Sequence, residues 1–284
     1  MTIRLFDKSI SNFYLLYFDF ILKREAAKES KGTAIKNIPP FDILKNFFIP
    51  LPPPKEQIRI IEKVSYWLSF VDAIDSEESE MSNLISKTKS KILDLAIHGK
   101  LVLQDPNDEP AIELLKRINP DFTPCDNGHY TQLPEGWAIC KMKQITSITN
   151  GKSQKNVETL NGIYPIYGSG GVIGRANQYL CIAGSTIIGR KGTINNPIFV
   201  EEHFWNVDTA FGLKANDAIL DKYLYYFCLS FDFSKLDKST AMPSLTKTSI
   251  GNVLIPIPPY KEQERIVAKI DMVLDTMNEI LRAV

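Results

Sequence analysis

Cationic and amide side chains recur in the glycine-rich loops of the central part of the chain. They follow Gly151, Tyr167 and Gly189, and Lys238 and Ser239 lie in a fourth segment. Lysine and arginine bind phosphates or guanine, and glutamine and asparagine pair with adenine through two hydrogen bonds. For any one residue, a solvated loop surface is the alternative. The residues that we predict to contact DNA are Lys152, Gln154, Lys155, Tyr167, Ser169, Arg175, Asn177, Arg190, Lys191, Thr193, Asn195, Lys238 and Ser239.

Three motifs approach catalytic patterns without meeting them. The IPPY stretch has Ile257 where an adenine methyltransferase needs a polar side chain to hold the amine. GSGGVIG has Ile173 at the third glycine of the dinucleotide fingerprint, and GRKGT lacks the spacing of a phosphate-binding P-loop. The three histidines and four cysteines show no metal-ligand spacing. We therefore predict a chain that binds without catalysing, with no metal and no cofactor of its own.

The overall charge balance conceals a local excess. The chain has 33 basic and 33 acidic residues, yet Glu158 is the single acid among the 60 residues from Lys141 to Val200. Such a segment can build a basic face on a neutral protein. Isolated cysteines favour a reduced, cytoplasmic protein. The apolar run from Phe13 to Leu22 is too short to span a bilayer, so we expect no membrane association.

A repeated phrase marks the elements that must position these loops. IPLPPPKEQIRI begins at Ile49 and IPIPPYKEQERI at Ile255, an offset of 206 residues, with nine of the twelve positions identical. YLLYF, from Tyr14, and YLYYF, from Tyr223, precede the two copies. We interpret residues 1–47 as the end of a globular module whose complete counterpart lies later in the chain.

Each copy of the phrase is followed by an apolar heptad pattern. Counting alternately four and three residues from Ile60 to Leu95, nine of eleven positions are apolar. This spacing predicts long helices that pair with other helices as in a coiled coil. A helix from Lys55 to Ile97 would measure roughly 65 Å. The predicted helix-pairing residues are Ile60, Val64, Trp67, Val71, Ile74, Met81, Ile85, Ile92, Leu95, Ile266, Ile270, Val273, Met277 and Ile280.

Short β-rich stretches separated by glycine turns lie between the two helices. The predicted fold class is α+β: a mixed α/β module with a twisted β-sheet, plus long coiled-coil-type spacer helices. The second apolar pattern ends with the sequence, so we expect the chain to stop inside that helix. The predicted order is a module remnant (1–47), a spacer helix (48–100), a connector (101–130), a complete module (131–258) and the start of a second spacer helix (259–284).

Several motifs, in this order, resemble the DNA specificity (S) subunit of type I restriction-modification systems. They are the repeated phrase, AIHGKLVLQDPNDEPAIELLKRI from Ala96, LPEGW from Leu133, and MPSLTKTSIGNVLIPIPP from Met242. The resemblance implies that the chain reads one half of a bipartite site in double-stranded DNA. It also implies methyltransferase (M) subunits that dock near the spacer helices and use S-adenosylmethionine, and a restriction (R) subunit that uses ATP.

Two other functions and one assembly remain open at this point. The chain could be a structural adaptor or silent-cassette remnant that no longer binds DNA, or a nuclease or methyltransferase in its own right. On a helix without a partner, the apolar side chains of the pattern from Ile60 to Leu95 would be exposed to water. The pattern therefore supports a homodimer through the spacer helices, which would restore two recognition modules.

Overall fold

The structure is a computed structural model of the chain, and it describes residues 4–22, 24, 45–46, 48–126, 130, 132–236 and 244–283. Lys238 and Ser239 therefore lie outside the described residues. The chain forms two compact units, Met1–Met81 and Ser82–Val284. Helix α2, Pro54–Ile97, contains the boundary between them.

The first unit begins with a short helix, α1 (Ser11–Tyr17), which follows a 3-10 turn at Lys8–Ile10 and runs into a π-helical turn at Phe18–Leu22. Asp7 caps the entry by accepting a hydrogen bond from the Ser9 amide at 2.8 Å. The Tyr17 hydroxyl donates to the Phe48 carbonyl at 3.2 Å, so α1 is tied to the segment that leads into α2.

Helix α2 has 44 residues and therefore a length of about 66 Å. It begins at Pro54, where a proline costs nothing because the first-turn amides have no intrahelical acceptor. It ends before Gly99, whose φ of +66° is left-handed and whose amide returns to the Ala96 carbonyl at 3.2 Å. The helix predicted from the heptad pattern is thus present.

The second unit contains the end of α2 and the whole β-rich module. Its helices after α2 are α3 (Ala111–Ile118), α4 (Met142–Ile145), α5 (Asp221–Ser230), α6 (Lys247–Gly251) and α7 (Tyr260–Ala283). Its strands are β1 (Ala138–Lys141), β2 (Thr146–Asn150), β3 (Tyr164–Gly168), β4 (Gly171–Ala176), β5 (Ser185–Gly189), β6 (Ile198–Val200), β7 (Trp205–Asn206), β8 (Ala210–Ala215) and β9 (Leu254–Ile257). The α+β fold class with long helices is confirmed.

The strands of the described residues form three sheets. The first joins β1 to β9 as an antiparallel pair, with Ala138 opposite Ile257. The second has the order β2-β8-β5-β6 and is antiparallel throughout. The third has the order β4-β3-β7, with β3 and β7 parallel. The β1–β9 pair connects the start of the module to its end.

One large hydrophobic cluster holds this unit together. It includes Tyr223, Leu224 and Phe227 of α5, the β9 residues Ile255 and Ile257, and further residues of α2, α3 and α7. Burial of such side chains stabilises a fold by ~1.5–3 kcal/mol each. Hydrogen bonds also hold the start of α7. The buried Gln263 side chain accepts from the Leu220 amide at 2.8 Å and donates to the Ala218 carbonyl at 3.1 Å.

The buried face of α2 shifts relative to the predicted heptad positions. Near its end the most buried side chains are Leu93 and Ala96, whereas the predicted Ile92 and Leu95 are half-buried. A straight helix drifts by about 20° per heptad from a strict 3.5-residue repeat, and over the five heptads from Ile60 this amounts to about 100°. That rotation corresponds to one residue.

The other predicted helix-pairing residues differ in burial. In the first unit Ile60, Val64 and Met81 are half-buried, while Trp67, Val71 and Ile74 are exposed by 57%, 50% and 62%. In the second unit Ile85 and Met277 are buried, Val273 is half-buried and Ile280 is exposed. Ile266 and Ile270 belong to the large cluster of the module. Pairing of these helices with another helix stays a prediction.

Candidate nucleic-acid interface

The loop after β2 carries the first group of predicted contact residues. Its backbone is held by two hydrogen bonds, from the Gly151 amide to the Ala210 carbonyl at 3.1 Å and from the Lys152 amide to the Asn206 carbonyl at 2.9 Å. A Cβ on Gly151 would lie 1.8 Å from the Val207 carbonyl oxygen, so only glycine fits this close approach. The side chains of Lys152 and Lys155 are exposed, and Gln154 is half-buried.

The β3–β4 hairpin carries the second group. Tyr167 is half-buried against Phe204, with ring centroids 5.5 Å apart. Burial raises the pKa of the Tyr167 phenol, and Glu202 raises it further while Arg175 opposes the shift. The phenol therefore stays protonated and can donate a hydrogen bond. Ser169 and Gly170 form the tip, where a Cβ on Gly170 would meet no atom within 4 Å.

The turn after β5 carries the third group. The Arg190 amide donates to the Thr209 carbonyl at 2.7 Å, and the Arg190 carbonyl accepts from the Leu245 amide at 2.8 Å. Arg190 and Lys191 are exposed, and Thr193 is exposed beside them. Gly189 brings this turn to the hairpin, because a Cβ there would lie 3.1 Å from the Ser169 Cβ.

One short segment, Asn206–Ala210, joins these three loops. Its carbonyls accept from Gly151, Lys152 and Arg190. Its Val207 amide donates to the Tyr167 carbonyl at 3.0 Å, which fixes the hairpin as well. We call this segment the 206–210 hub. The structure therefore brings Lys152, Tyr167 and Arg190 together around it.

The Asn206 side chain stabilises the hub from inside. It is fully buried, and its Nδ2 donates to the Ala210 carbonyl at 3.1 Å. Its Oδ1 accepts from the Cys181 thiol at 3.2 Å. Burial raises the pKa of Cys181 to about 12, so this thiol keeps its proton and its donor role. A buried amide with both ends bonded locks the local backbone.

Arg175 and Asn177 lie at the opposite end of β4 from the hairpin tip. The Arg175 guanidinium donates to the Ile163 carbonyl at 3.3 Å, and its own carbonyl accepts from the Thr159 amide at 2.9 Å. The Asn177 amide donates to the Val157 carbonyl at 3.0 Å. The segment that follows Lys155 thus connects these residues to the first loop. Both side chains are exposed.

Asn195 has internal partners for both ends of its amide. Nδ2 donates to Asp232 at 2.8 Å, and Oδ1 accepts from the Phe233 amide at 2.7 Å. These bonds tie the turn after β5 to the 3-10 turn at Phe233–Leu236. The geometry therefore gives Asn195 a structural role, and a contact with DNA remains a prediction.

The cations of this surface lie near one exposed acid of the hub, Asp208, and the Arg190 guanidinium donates to its backbone carbonyl at 3.5 Å. Within the described ranges Lys152, Lys155, Arg175, Arg190 and Lys191 form no ion pair, whereas lysines elsewhere do, such as Lys214 with Asp221 at 2.5 Å. Exposed cations of one sign produce a positive potential that attracts phosphate. The surface can therefore bind a polyanion, with amide and hydroxyl groups available for hydrogen bonds.

Two features of the module were not predicted from the sequence, one in the hairpin and one just before β7. Val172 and Ile173, which follow the hairpin tip, are 56% and 55% exposed. They are adjacent and yet both exposed because the register shifts at Ile166/Tyr167. The second feature is the ring of His203, two residues before β7, which stacks on the ring of Tyr179 with centroids 4.5 Å apart. The exposed pair could have been suspected from the sequence, because Val172 and Ile173 are adjacent apolar residues next to three glycines of a turn.

No group of His, Cys, Asp or Glu in the described part of the chain could hold a metal ion. None of the helices in those ranges combines the length and apolar composition that crossing a membrane requires.

Comparisons with known proteins agree with the fold. The family model for the type I restriction modification DNA specificity domain matches residues 134–284, just over half of the chain. The EcoAI specificity subunit of Escherichia coli is 24% identical over 91% of this chain and 58% of its own length. The EcoKI specificity subunit of E. coli K12 is 23% identical over 93% of this chain and 59% of its own length.

Solved structures show the same fold. The HsdS subunit of Thermoanaerobacter tengcongensis superimposes with a TM-score of 0.51 at 20% identity, over 96% of this chain and 64% of that one. A chain from a solved type I restriction-modification system gives a TM-score of 0.59 at 22% identity, over 93% and 63%. The chain spans less than two thirds of the length of each of these four relatives. On the strength of the matching domain, the chain belongs to the family of type I restriction-modification DNA specificity proteins.

Proposed function

We propose that this chain is a DNA sequence-recognition component of a type I restriction-modification complex, and that its module reads one half of a bipartite site. The observation that carries this proposal is the convergence of three loops on the 206–210 hub, which brings the exposed cations Lys152 and Arg190 close to the half-buried Tyr167. Family membership supports it. Lysine and arginine would bind phosphates, and the hairpin would approach base edges.

Salt dependence of DNA binding tests this proposal. Each phosphate contact releases counterions and adds about 0.9 to the slope of log affinity against log salt. We expect a steep slope for the full chain on a mixed-sequence duplex, measured by fluorescence anisotropy. Lys152→Ala and Arg190→Ala should each weaken binding and reduce the slope by about 0.9.

Lys116→Ala is the matched control, because Lys116 is exposed on α3, outside the surface. It should leave both affinity and slope unchanged. A slope near zero, or equal losses for Lys116→Ala and Lys152→Ala, would show that these loops do not bind DNA.

The chemistry of the complex would reside in other subunits. The M subunits would supply S-adenosylmethionine-dependent methylation of adenine, and the R subunit would supply ATP-dependent translocation and cleavage. The chain alone is expected to methylate nothing, and to direct methylation when an M subunit is added. Methylome sequencing of cells that express both proteins would identify the site. Methylation by the purified chain alone would contradict this division.

A homodimer through the spacer helices is the assembly that we favour. The exposed side chains Trp67, Val71 and Ile74 follow one another at four- and three-residue spacing on α2. An apolar stripe of this kind is stabilised by burial against a second helix. Sedimentation velocity should show a dimer that Trp67→Glu and Ile74→Glu dissociate. Leu103→Glu, at a side chain 90% exposed outside the helix, should not affect it. A strict monomer at all concentrations would exclude this assembly.

A further inference from the structure

The 206–210 hub contains a tight turn with an acidic residue at its exposed corner. The Ala210 amide donates to the Val207 carbonyl at 3.0 Å, which closes a β-turn with Asp208 and Thr209 at its centre. Strand β7 of the third sheet ends just before this turn, and β8 of the second sheet begins just after it. Asp208 is exposed. The turn therefore joins two sheets and presents a carboxylate to solvent.

The backbone on either side of Asp208 is bonded to two of the candidate DNA-binding loops. The Val207 amide donates to the Tyr167 carbonyl at 3.0 Å, and the Thr209 carbonyl accepts from the Arg190 amide at 2.7 Å. The Arg190 guanidinium also donates to the Asp208 carbonyl, at 3.5 Å. Asp208 is thus fixed between the hairpin and the turn after β5.

The Asp208 carboxylate has no hydrogen-bond or ionic partner among the described residues. Three other aspartates of turns, Asp7, Asp105 and Asp232, accept a hydrogen bond from the amide two residues later. Such a bond is a common way for aspartate to stabilise a turn. At Asp208 the equivalent amide belongs to Ala210, and it closes the turn instead. The turn therefore forms without the carboxylate, which can accept hydrogen bonds from an external partner.

A negative charge at this position opposes the binding of phosphates. The loops around it carry the exposed cations Lys152, Arg190 and Lys191. An acid among them repels the DNA backbone and lowers non-specific affinity. A carboxylate can, however, accept hydrogen bonds from the amino groups of bases, which phosphates do not possess. Base recognition therefore accounts for this acid better than affinity does.

The chemistry of the major groove favours one base. Adenine N6 and cytosine N4 are the amino groups exposed there, whereas guanine and thymine present acceptors that a carboxylate would repel. Adenine N6 lies between two acceptors, its own N7 and O4 of the paired thymine. Cytosine N4 has an acceptor on one side only, O6 of the paired guanine. A carboxylate therefore fits cytosine best.

We propose that Asp208 is a specificity-determining residue, and that its carboxylate accepts a hydrogen bond from N4 of a cytosine in the recognised half-site. This inference rests on the proposed function, since it takes the surface around the hub as the one that binds DNA. Arg190 would hold a neighbouring phosphate and offset the repulsion from the carboxylate. The fixed turn would keep the carboxylate in one position relative to the hairpin, which discrimination between bases requires.

Selection from a random duplex library tests this assignment with the full chain. The unmodified chain should enrich duplexes that have cytosine at one position of the site. Asp208→Ala should lose the preference at that position and keep the others. Asp208→Asn should shift the preference towards adenine, because an amide can both donate to N7 and accept from N6. A damaged fold could not exchange one preferred base for another.

Affinities for two duplexes that differ only at that position provide a second readout. For the selected duplex, Asp208→Ala should weaken binding roughly tenfold, within the range for one mismatched base pair. For the duplex with thymine in place of the cytosine, the same variant should bind at least as tightly as the unmodified chain, because a repulsive charge is gone. A purely electrostatic role would strengthen binding to both duplexes, and a misfolded variant would bind both more weakly.

Asp217→Ala is the matched control. Asp217 is also exposed at the second position of a β-turn, which the Ile219 amide closes by donating to the Asn216 carbonyl at 3.2 Å. This turn follows β8, whereas the Asp208 turn precedes it. The control variant should keep both the base preference and the affinity.

The outcomes distinguish this inference from the proposed function. Unchanged base selection by Asp208→Ala, with steep salt dependence of DNA binding retained, would refute the assignment of Asp208 and leave the proposed function in place. Equal changes in selection for Asp208→Ala and Asp217→Ala would refute it as well. Salt-independent binding or no binding by the unmodified chain would overturn the proposed function, and this inference with it.

Discussion

The Trp137 indole nitrogen donates a hydrogen bond to Glu262 at 3.0 Å, although 125 positions separate the two residues. The other carboxylate oxygen accepts from Gln104 at 2.9 Å. The contact joins the start of the module, the connector and the first turn of the exit helix α7. A buried carboxylate is tolerated only with such partners, because its desolvation is costly.

Removing this contact should destabilise the module. Glu262→Gln and Trp137→Phe should each lower the free energy of unfolding by about 1.5–3 kcal/mol, the range for a hydrogen bond to a charged group. In the double variant the losses should not add, since both changes remove the same bond. Urea unfolding followed by circular dichroism measures this. Additive losses would indicate that the two side chains contribute independently.

The same carboxyl should give stability a specific pH dependence. Burial raises the pKa of Glu262 above its ordinary value of 4.5, and the bonds from Gln104 and Trp137 oppose this shift. A folded-state pKa above the unfolded one means that the native state binds the proton more tightly. The stabilisation from this group is therefore full below pH 4.5 and is lost as the pH rises through the raised pKa.

Comparison with Glu262→Gln isolates that effect. As the pH rises from 4.5, the unmodified chain should lose stability relative to the Glu262→Gln variant, as measured by their free energies of unfolding. A difference that grows in favour of the unmodified chain with pH would contradict the assigned sign.

Gly151 should be intolerant of a side chain. Gly151→Ala would place a Cβ 1.8 Å from the Val207 carbonyl oxygen, so either the loop or the 206–210 hub must move. We expect a lower melting temperature and weaker DNA binding, because Lys152 and Arg190 would lose their common support. Gly170→Ala is the matched control, since a Cβ there meets no atom within 4 Å. Equal behaviour of the two variants would contradict the close approach.

Asn195 offers a test between a structural and a DNA-binding role. Asn195→Ala removes the bonds to Asp232 and to the Phe233 amide. We expect a loss of stability without a change in the salt slope of DNA binding. Loss of DNA affinity at full thermal stability would instead assign Asn195 to the interface.

The exposed apolar pair of the hairpin should affect sequence preference rather than charge-dependent affinity. Apolar side chains contact the methyl group of thymine in the major groove. Ile173→Ser should therefore alter which sequences are selected from a random duplex library, while the salt slope stays constant. Leu160→Ser, at a fully exposed side chain in the loop before β3, is the control. Unchanged selection by the Ile173 variant would remove this residue from base readout.

Local features of the fold could be predicted from the sequence because they depend on short spacings. Helix α2 begins and ends within one residue of its predicted bounds, Lys55 and Ile97. The heptad positions were less accurate toward the end of α2, where Leu93 and Ala96 are buried. A strict seven-residue count ignores the drift of a straight helix, which adds up with distance.

The arrangement of the candidate interface depends on long-range contacts that no spacing reveals. The loops around Lys152 and Arg190 could be identified by composition, but their meeting at the 206–210 hub depends on hydrogen bonds across the sheets. Asn195 has the same composition signal as its neighbours, and its partners Asp232 and Phe233 lie 37 and 38 positions away. Residue type alone cannot distinguish an amide that supports a turn from one that faces outward.

The antiparallel pairing of Ala138 with Ile257 has a consequence for how such proteins diversify. The polypeptide enters and leaves the module at adjacent positions, so the residues between them behave as one insertion flanked by helices α3 and α7. Domains with neighbouring ends can be transplanted at little cost to their host. A gene could therefore exchange this one interval, and with it all the exposed loops of the module, while the helices on either side stay as they were.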